Sequence, residues 1–390
     1  MNNYIYFDSA ATTRPSNEVV ALFNETALNE YANPASMHTF GLAVEKKTEA
    51  ARNIIASTLN ADGGEIIFTS SGTEANNLAI FGTVDVLKKK GNKIITTDSE
   101  HDSVYQPIRK LEKDGFEVIY LSTKNGRIDI DELKENLDEN VILVSVMSVN
   151  NETGAIYDIN GVVSTVEASG YKPYIHCDAV QAYGKMRIDV DRLGVDLLSV
   201  SAHKIHGLKG TGALYIRNDR RISPQIFGGG HERGLRSSTL NTAGIIAFAK
   251  AAEKSHEYLE KNHKYIEKLY DYAVEKLRNI NSNADLDYIK FNQGGEILKY
   301  ILSINIPNVR SEIMLNFLSE KGIFVSSGSA CSEKKSTGKE SKRVLLNYGL
   351  DKYSADFSLR ISFSKYNTID EIDKLILFLI EGTERFRVLM

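Results

Sequence analysis

The stretch EIIFTSSGTEANNLAI, residues 65–80, indicates the architecture of this chain. It opens with the apolar run EIIF at 65–68, passes through a cluster of hydroxyl residues, and enters a helical pattern over 73–90. Another apolar run, KIITT, follows at 93–97. A strand, a helix and a second strand in this order are typical of a sheet whose parallel strands are joined by helices.

The same alternation continues for more than a hundred residues beyond this stretch. Predicted helices lie at about 102–114 and 160–169, with a shorter one in DIDELKENL, and the apolar runs are FEVIYL at 116–121, VILVSVM at 141–147, YIHCDA at 174–179, DLLSV at 196–200 and ALYIR at 213–217. This pattern predicts an α/β fold with a mostly parallel sheet covered on both faces. In such sheets ligands collect at the carboxyl ends of the strands.

The remainder of the chain predicts a smaller α+β unit. A long bridging helix is expected at about 241–280, with Asn241 and Thr242 as plausible caps. Later elements are ILSINI at 301–306, a helix near 311–321, IFVSSG at 323–328, a polar stretch to about 342, LRISFS at 359–364 and a terminal helix. We therefore predict a large domain at 16–250 and a small domain made of 1–15 and 251–390.

Composition narrows the class of protein. The chain has 390 residues, 42% of them hydrophobic and 25% charged, with a formal net charge of −4. This balance offers no general attraction for nucleic acid or anionic membranes, and no segment is apolar enough to predict a membrane span. The two cysteines, Cys177 and Cys331, cannot form a disulfide framework. We expect a cytoplasmic protein with free thiols that acts on small polar molecules.

The segment SVSAHKIHGLKGTGALYIR, residues 199–217, contains the strongest local signal. An apolar strand ends in Ser201, Ala202, His203 and Lys204, just before a glycine-rich turn. A partly desolvated lysine near other cations has a lowered pKa, and its neutral amine can form a Schiff base with an aldehyde cofactor. Taken alone, Lys204 also fits a solvated turn lysine, so its interpretation depends on its surroundings.

Those surroundings favour a phosphorylated pyridine cofactor. Asp178 ends a strand 26 residues earlier, where a carboxylate can keep a pyridine nitrogen protonated, although such a residue can equally cap a helix. Gln181 can reach the ring's phenolic oxygen. Gly72 and Thr73 open a helix after a strand, which is a suitable cup for a phosphate. His101 begins a helix past the next strand, where its imidazole can stack on the ring or simply serve as a cap.

The cysteines differ in their predicted roles. Cys331 lies in VSSGSACSEKKSTGKESKR, where small, polar and basic residues replace the apolar periodicity. A mobile loop over about 326–342 suits a nucleophile that must reach a substrate and then an acceptor, and the neighbouring lysines favour its thiolate. Cys177 is expected to pack as a small buried hydrophobe.

His203 and His206 are spaced like metal ligands, but no carboxylate or thiol completes a set, so no metal is predicted.

The ordered motifs resemble those of the cysteine desulfurases in the NifS and IscS branch of the class V aminotransferase family, which use pyridoxal phosphate (PLP). The resemblance rests on SGTEANN, SEHDSV, VNNETG, HCDAVQ, SAHKIHGLKGTG, GGGHERGLRSST and SSGSACS, and it spans essentially the whole chain. It implies PLP-dependent fold type I with a seven-stranded sheet. The implied reaction removes sulfur from L-cysteine, leaving L-alanine and a Cys331 persulfide for an acceptor in Fe–S cluster assembly or tRNA thiolation.

The resemblance also implies residue roles. Lys204 would be the Schiff-base lysine, His101 the ring-stacking and proton-handling residue, and Asp178 and Gln181 would hold the pyridine. The implied phosphate ligands are Gly72, Thr73, Ser201 and His203, joined by Thr239 from the other subunit of a homodimer. Asn151 would contact cofactor or substrate, and Arg360, assisted by Asn33, would pair with the substrate carboxylate, although Arg360 alone also fits a strand's solvent face.

The chain departs from the family motifs at Ala202, Leu208 and Ser238, where glycine, proline and glycine are usual. The methyl group at 202 is expected to tighten the backbone beside the cofactor. Three rivals remain open on the sequence: a selenocysteine lyase, another aminotransferase of this class, and a non-catalytic partner that docks sulfur carriers.

Overall fold

The computed structural model describes residues 4–282, 289–327 and 342–387. Its strands are β1 Ile5–Tyr6, β2 Ile66–Thr69, β3 Lys93–Thr97, β4 Glu117–Leu121, β5 Val141–Met147, β6 Ala155–Ile156, β7 Tyr174–Asp178, β8 Leu197–Ser201, β9 Gly212–Ile216, β10 Lys290–Phe291, β11 Glu296–Ile297, β12 Ile301–Asn305, β13 Ile323–Phe324 and β14 Ser358–Ser362. Its α-helices are α1 Asn17–Asn29, α2 Thr39–Ser57, α3 Gly72–Leu87, α4 Asp102–Lys113, α5 Ile130–Asn136, α6 Ile159–Ser169, α7 Val190–Leu193, α8 Thr242–Glu257, α9 Leu259–Ser282, α10 Ser311–Glu320, α11 Arg343–Tyr348, α12 Lys352–Asp356 and α13 Ile369–Phe386.

A seven-stranded sheet forms the centre of the molecule, in the order β2-β9-β8-β7-β5-β3-β4. The strands from β8 to β4 pair in parallel, whereas β9 is antiparallel to both of its neighbours. The prediction of a mostly parallel seven-stranded sheet is therefore confirmed. Since β3, β5, β7 and β8 run in the same direction, their carboxyl ends meet at one edge of the sheet.

The central strands are apolar because both of their faces are covered. All seven residues of β5, VILVSVM, are buried, as are all five of β8 and of β9. A strand that packs on both sides needs an uninterrupted apolar run rather than an alternating one. Helix α3 contacts β8 and β9, so its first turn is held close to the strand ends.

A second unit combines the two ends of the chain. The antiparallel sheet β10-β12-β14 carries the predicted strands near 301–306 and 359–364. The N-terminal strand β1 pairs in parallel with β13, and Asp8 forms an isolated bridge with Ser362. The first residues of the chain therefore lie next to β14, although more than three hundred residues separate them.

The helical stretch expected over 241–280 is two helices rather than one. Helix α8 ends at Glu257 and α9 begins at Leu259, with Tyr258 between them. The two helices have different packing partners, since α8 contacts α1 and α2 whereas α9 contacts α13. No proline or glycine marks this break, so local sequence signals could not reveal it.

The C-terminal helix shows how the outer helices are built. A capping box between Thr368 and Glu371 starts α13, and Ile372, Leu375 and Leu379 are buried on one face. Most of its exposed positions carry charged residues, such as Asp373, Lys374 and Arg385, which is typical of an amphipathic helix on a folded core. Within the residues that the structure describes, we find no helix with the length and apolarity to cross a bilayer.

Candidate active site

A pocket of about 220 Å³ lies at the carboxyl edge of the large sheet. Its lining includes the predicted residues Gly72, Thr73, His101, Asn151, Asp178, Gln181, Ser201, His203 and Lys204. It also includes Ala11, Ser71, Ser103, Met147, Val149 and Val180. Residues predicted from separate motifs are thus brought together around one space, because the strands that carry them end at the same edge.

Lys204 reaches this pocket from a short 3-10 turn, Ala202–Lys204, directly after β8. Its Nζ donates hydrogen bonds to the carbonyl oxygens of Ala10 and Ala11, at 2.5 and 2.8 Å. Both acceptors belong to the N-terminal segment, which approaches the sheet edge through its pairing with β14. The amine is therefore held between the strand end and the first residues of the chain.

Asp178 is the last residue of β7, and its carboxylate is held by two donors. The Asn76 side-chain amide contacts Oδ2 at 2.8 Å, and the Val180 backbone N–H contacts Oδ1 at 3.0 Å. Asn76 is fully buried and also donates to Ser103 Oγ. Sequence reasoning did not identify Asn76. Its position four residues after Gly72, on the same face of α3, is the signal that was available.

His101 is the N-cap of α4, and its Nδ1 accepts a hydrogen bond from the Ser103 backbone N–H at 3.1 Å. This contact leaves the ring proton of the neutral imidazole on Nε2. Burial lowers the pKa of His101, an effect that the negative charge of Asp178 opposes. The side chain is therefore neutral near pH 7, able to donate through Nε2.

The turn before α3 forms a cup of backbone N–H groups. Ser71 is the N-cap, and its hydroxyl accepts from the Glu74 N–H. A Cβ at position 72 would lie 2.6 Å from Val180 Cγ2, so only glycine lets the turn pack this closely. Ser201 Oγ borders the same pocket, is buried and has no hydrogen-bond partner in the described part of the chain.

Arg360 lies beside the pocket on β14 and is 4% exposed. One guanidinium nitrogen donates to the backbone oxygen of Asn151, a pocket residue, and the other to Asp8 Oδ1, both at 2.8 Å. Nε of Arg360 is buried without a partner among the described residues. Asp8 was not identified from the sequence. The buried position of Arg360 contradicts the alternative that it lies on a strand's solvent face.

Two of the predicted residues, Asn33 and Thr239, lie apart from this group. Asn33 is exposed, its side-chain oxygen accepts from the Ala35 N–H, and it forms no hydrogen bond with Arg360. Thr239 is also exposed and does not line the pocket. Cys331 falls outside the described residues. The role predicted for Thr239 concerns the other subunit, and the roles of Asn33, Thr239 and Cys331 stay predictions.

The unusual alanine beside Lys204 is accommodated by a glycine further along the turn. Ala202 is fully buried. A Cβ at position 207 would lie only 2.9 Å from the Ala202 Cβ and 2.8 Å from its carbonyl oxygen. Because residue 207 is glycine, the additional methyl group of Ala202 fits without displacing the turn that carries Lys204.

A larger cavity, of about 640 Å³, lies on the opposite face of the sheet. It borders Cys177, whereas the 220 Å³ pocket borders Asp178, and consecutive strand residues point to opposite faces. Its lining contains none of the described residues predicted for the site. Across the described ranges, no group of three or more His, Cys, Asp or Glu side chains is placed to hold a metal ion.

Comparisons with known proteins agree with this arrangement. A family model described as aminotransferase class-V matches residues 5–375. A protein named cysteine desulfurase IscS from Buchnera aphidicola subsp. Baizongia pistaciae (strain Bp) is 40% identical over 392 residues, covering 98% of this chain and 93% of its own. A protein of the same name from Dictyoglomus turgidum (strain DSM 6724 / Z-1310) is 38% identical, covering 100% of this chain and 97% of its own.

Solved structures show the same likeness. One described as a NifS-like protein superposes with a TM-score of 0.89 at 36% identity, covering 98% of this chain and 99% of its own. Another, described as SspA in complex with cysteine, has a TM-score of 0.79 at 32% identity, covering 93% of this chain and 100% of its own.

The chain has a mostly parallel seven-stranded sheet, and Lys204 lies in a turn at the carboxyl edge of that sheet. This is the architecture of fold type I of the PLP-dependent transferases. Within that class, this chain belongs to the class V aminotransferase family. The members of the family are PLP enzymes, and the pocket fits such a group. The buried atoms Ser201 Oγ and Asn151 Oδ1 lack partners among the described residues, and both border the pocket that holds the Lys204 amine.

Proposed function

We propose that this protein is a cysteine desulfurase, which removes sulfur from L-cysteine with PLP as its cofactor. The convergence of Lys204, Asp178 and His101 on one pocket carries the proposal. The relatives named cysteine desulfurase IscS, 38% and 40% identical over nearly the whole chain, support the same activity. Measurement of sulfide and alanine released from cysteine by the purified protein tests it directly.

The residues that would hold the cofactor are those of the pocket. The N–H groups of Gly72 and Thr73, with Ser201 Oγ and His203, would bind the phosphate, and Asp178 the ring nitrogen. When bound, the pyridinium ring supplies an electron sink that stabilises negative charge at the substrate's α carbon. Asn76 keeps the Asp178 carboxylate oriented for this task through a 2.8 Å hydrogen bond.

The chain's own residues would move the protons and the sulfur. Lys204 takes the proton from the substrate's α carbon, and neutral His101 offers its Nε2 proton inside the pocket. The Cys331 thiolate bonds to the substrate sulfur as the carbon–sulfur bond breaks, and the electron pair stays with carbon. Protonation of that carbon then gives alanine. The balance is one cysteine and one enzyme thiol converted to one alanine and one enzyme persulfide.

Arg360→Lys is expected to raise the KM for L-cysteine by about 10- to 100-fold while changing kcat little. A lysine ammonium cannot present the paired donors with which a guanidinium binds a carboxylate. Steady-state kinetics of alanine formation measure the effect. Arg385→Lys, at an exposed position of α13, is the matched control and should leave KM unchanged.

Cysteamine, which is cysteine without its carboxylate, separates this role from a structural one. Any slow turnover of cysteamine should be equal in the Arg360→Lys variant and the parent protein. A large loss with cysteamine as well, or an unchanged KM for cysteine, would refute carboxylate binding by Arg360.

The proposal includes a homodimer in which Thr239 contributes to the partner's phosphate site. Thr239 is exposed, and Arg236 nearby pairs with Glu74 in the first turn of α3 at 2.7 Å. This ion pair anchors the start of the segment 236–239 on α3, while Thr239 remains on the surface. The large apolar side chains of Met37 and Phe227 are 93% and 81% exposed, as expected of surfaces that a partner covers.

Light scattering should give twice the chain mass of 43.4 kDa. Thr239→Ala should weaken PLP binding by about 10-fold, the value of one hydrogen bond to a charged group. After subunit exchange between Thr239→Ala and Lys204→Ala proteins, each mixed dimer should regain one intact site with tight binding. A monomeric mass, or mixtures that show only the average of the two variants, would contradict the shared site.

A further inference from the structure

Lys185 is a buried lysine close to the pocket that the proposed chemistry does not use. Its side chain lies in the turn after β7 and the residue is 7% exposed. Its Nζ donates to Oε1 of Gln181 at 2.7 Å and lies 5.9 Å from the centre of the Tyr300 ring. Burial of an ammonium group is costly, so a lysine in this position calls for a physical explanation.

A chain of hydrogen bonds connects Lys185 with Lys204. Nε2 of Gln181 donates to the carbonyl oxygen of Ala10 at 2.8 Å, and this oxygen also accepts from Lys204 Nζ at 2.5 Å. A small cavity of about 40 Å³ borders both lysines and Ala10. The two amines therefore share one space and one polar network, with Gln181 and Ala10 between them.

The contact with Lys185 determines which end of the Gln181 amide is available. An amide has one oxygen and one NH₂ group, and its orientation follows from the hydrogen bonds around it. Protonated Lys185 has three N–H donors and no acceptor, so it selects the amide oxygen. The NH₂ group is then directed to Ala10 and the Lys204 side of the pocket, where Gln181 acts as a donor.

We propose that Lys185 is a positioning residue, which orients Gln181 as a hydrogen-bond donor toward the cofactor and sets the electrostatic surroundings of Lys204. This inference rests on the proposed function, because it assumes that PLP is carried on Lys204. It assigns Gln181 a fixed direction: its NH₂ group, which donates to the Ala10 oxygen, would be the end available to the phenolic oxygen of a bound cofactor.

The charges around Lys185 support this role. Burial, together with the positive charges of Lys204 and Arg360, lowers the pKa of Lys185 to about 7. Among the described residues, it also faces the Tyr300 ring, and its charge helps to lower the pKa values of the His203 and His206 imidazoles. A proton on Lys185 therefore places a positive charge near Lys204, and opposes a second proton there.

The test compares PLP-loaded protein with and without Lys185. In Lys185→Met, the pH midpoint of the visible absorbance band of the lysine-bound cofactor should rise by about one unit. Both the lost positive charge and the lost Gln181 donor favour the protonated form of the cofactor nitrogen. The kcat should fall by about 10- to 100-fold, as expected when a catalytic group is slightly misplaced.

Lys185→Arg should return the midpoint toward the parent value, because it restores a charged donor and the adjoining 40 Å³ cavity offers room for the larger group. Lys93→Met is the matched control. Lys93 is also buried, but it pairs with Glu117 and Asp138 at the start of β3, so its loss should affect stability and leave the midpoint unchanged.

An unchanged midpoint in folded Lys185→Met overturns the proposal. If Lys185→Met does not fold, the Gln181→Leu variant tests the proposal instead. It should raise the pH midpoint of the visible band. An unchanged midpoint in Gln181→Leu would refute the role of Gln181 as a donor toward the cofactor. Failure of the proposed function is distinguishable: in that case the parent protein itself would show no visible band after addition of PLP.

Discussion

Lys204→Ala is expected to abolish the visible absorbance band that the purified protein shows with PLP. It should also slow sulfide release from cysteine by at least about 1000-fold, since in the proposed mechanism this one side chain both attaches the cofactor and transfers the substrate proton. Absorbance spectra and mass spectrometry after borohydride reduction measure the attachment, and the release of sulfide measures the activity. The position of the amine, 2.5 Å from the Ala10 oxygen at the edge of the pocket, makes Lys204 the residue for which we expect the largest single effect.

Lys209→Ala is the control for this experiment. Lys209 lies five residues further along the same glycine-rich turn and is exposed, so its variant should keep both the band and the activity. If Lys204→Ala retained the band and a reduced covalent adduct, the cofactor would be attached elsewhere. If Lys209→Ala lost them as well, the effect would belong to the fold of the turn rather than to the Lys204 amine.

Cys331→Ser should separate cofactor binding from sulfur transfer. The variant is expected to keep the visible band, because the pocket residues are intact, and to lose sulfide release by at least about 100-fold, since a hydroxyl does not replace a thiolate nucleophile. In the parent protein, a short incubation with cysteine should add the mass of one sulfur atom to the peptide that contains Cys331. Transfer of that sulfur to candidate Fe–S scaffolds or tRNA-thiolation enzymes then identifies the acceptor.

The second cysteine provides the matched control. Cys177 is 1% exposed within β7, and burial raises the pKa of its thiol, so it is a poor source of thiolate. Cys177→Ala should therefore retain turnover and persulfide formation at Cys331. Persulfide on Cys177, or full turnover by Cys331→Ser, would show that the wrong nucleophile was assigned.

The arrangement of the large sheet could be predicted to a considerable extent from the sequence. Runs such as VILVSVM are locally recognisable, because a strand buried on both faces must be apolar throughout. The break at Tyr258 could not be predicted in this way. It reflects the different packing partners of α8 and α9 and is marked by no helix-breaking residue.

The pocket was predictable to the extent that its residues end strands or begin helices. Gly72, His101, Asp178 and Lys204 all occupy such positions, and parallel strands bring them to one edge. The order of the motifs along the chain also indicated the family. Neither kind of signal identified the side chains that hold these groups in place.

The sequence by itself therefore determined the class of fold, the motifs and the residues proposed to carry the chemistry, through local periodicity, short spacings and the order of the motifs. Only the tertiary structure decided which partners orient them. Asn76 reaches Asp178 across 102 residues, Gln181 reaches Ala10 across 171, and Arg360 reaches Asp8 across 352. Such contacts depend on how the strand ends and the N-terminal segment come together in space, and no local sequence pattern predicts them.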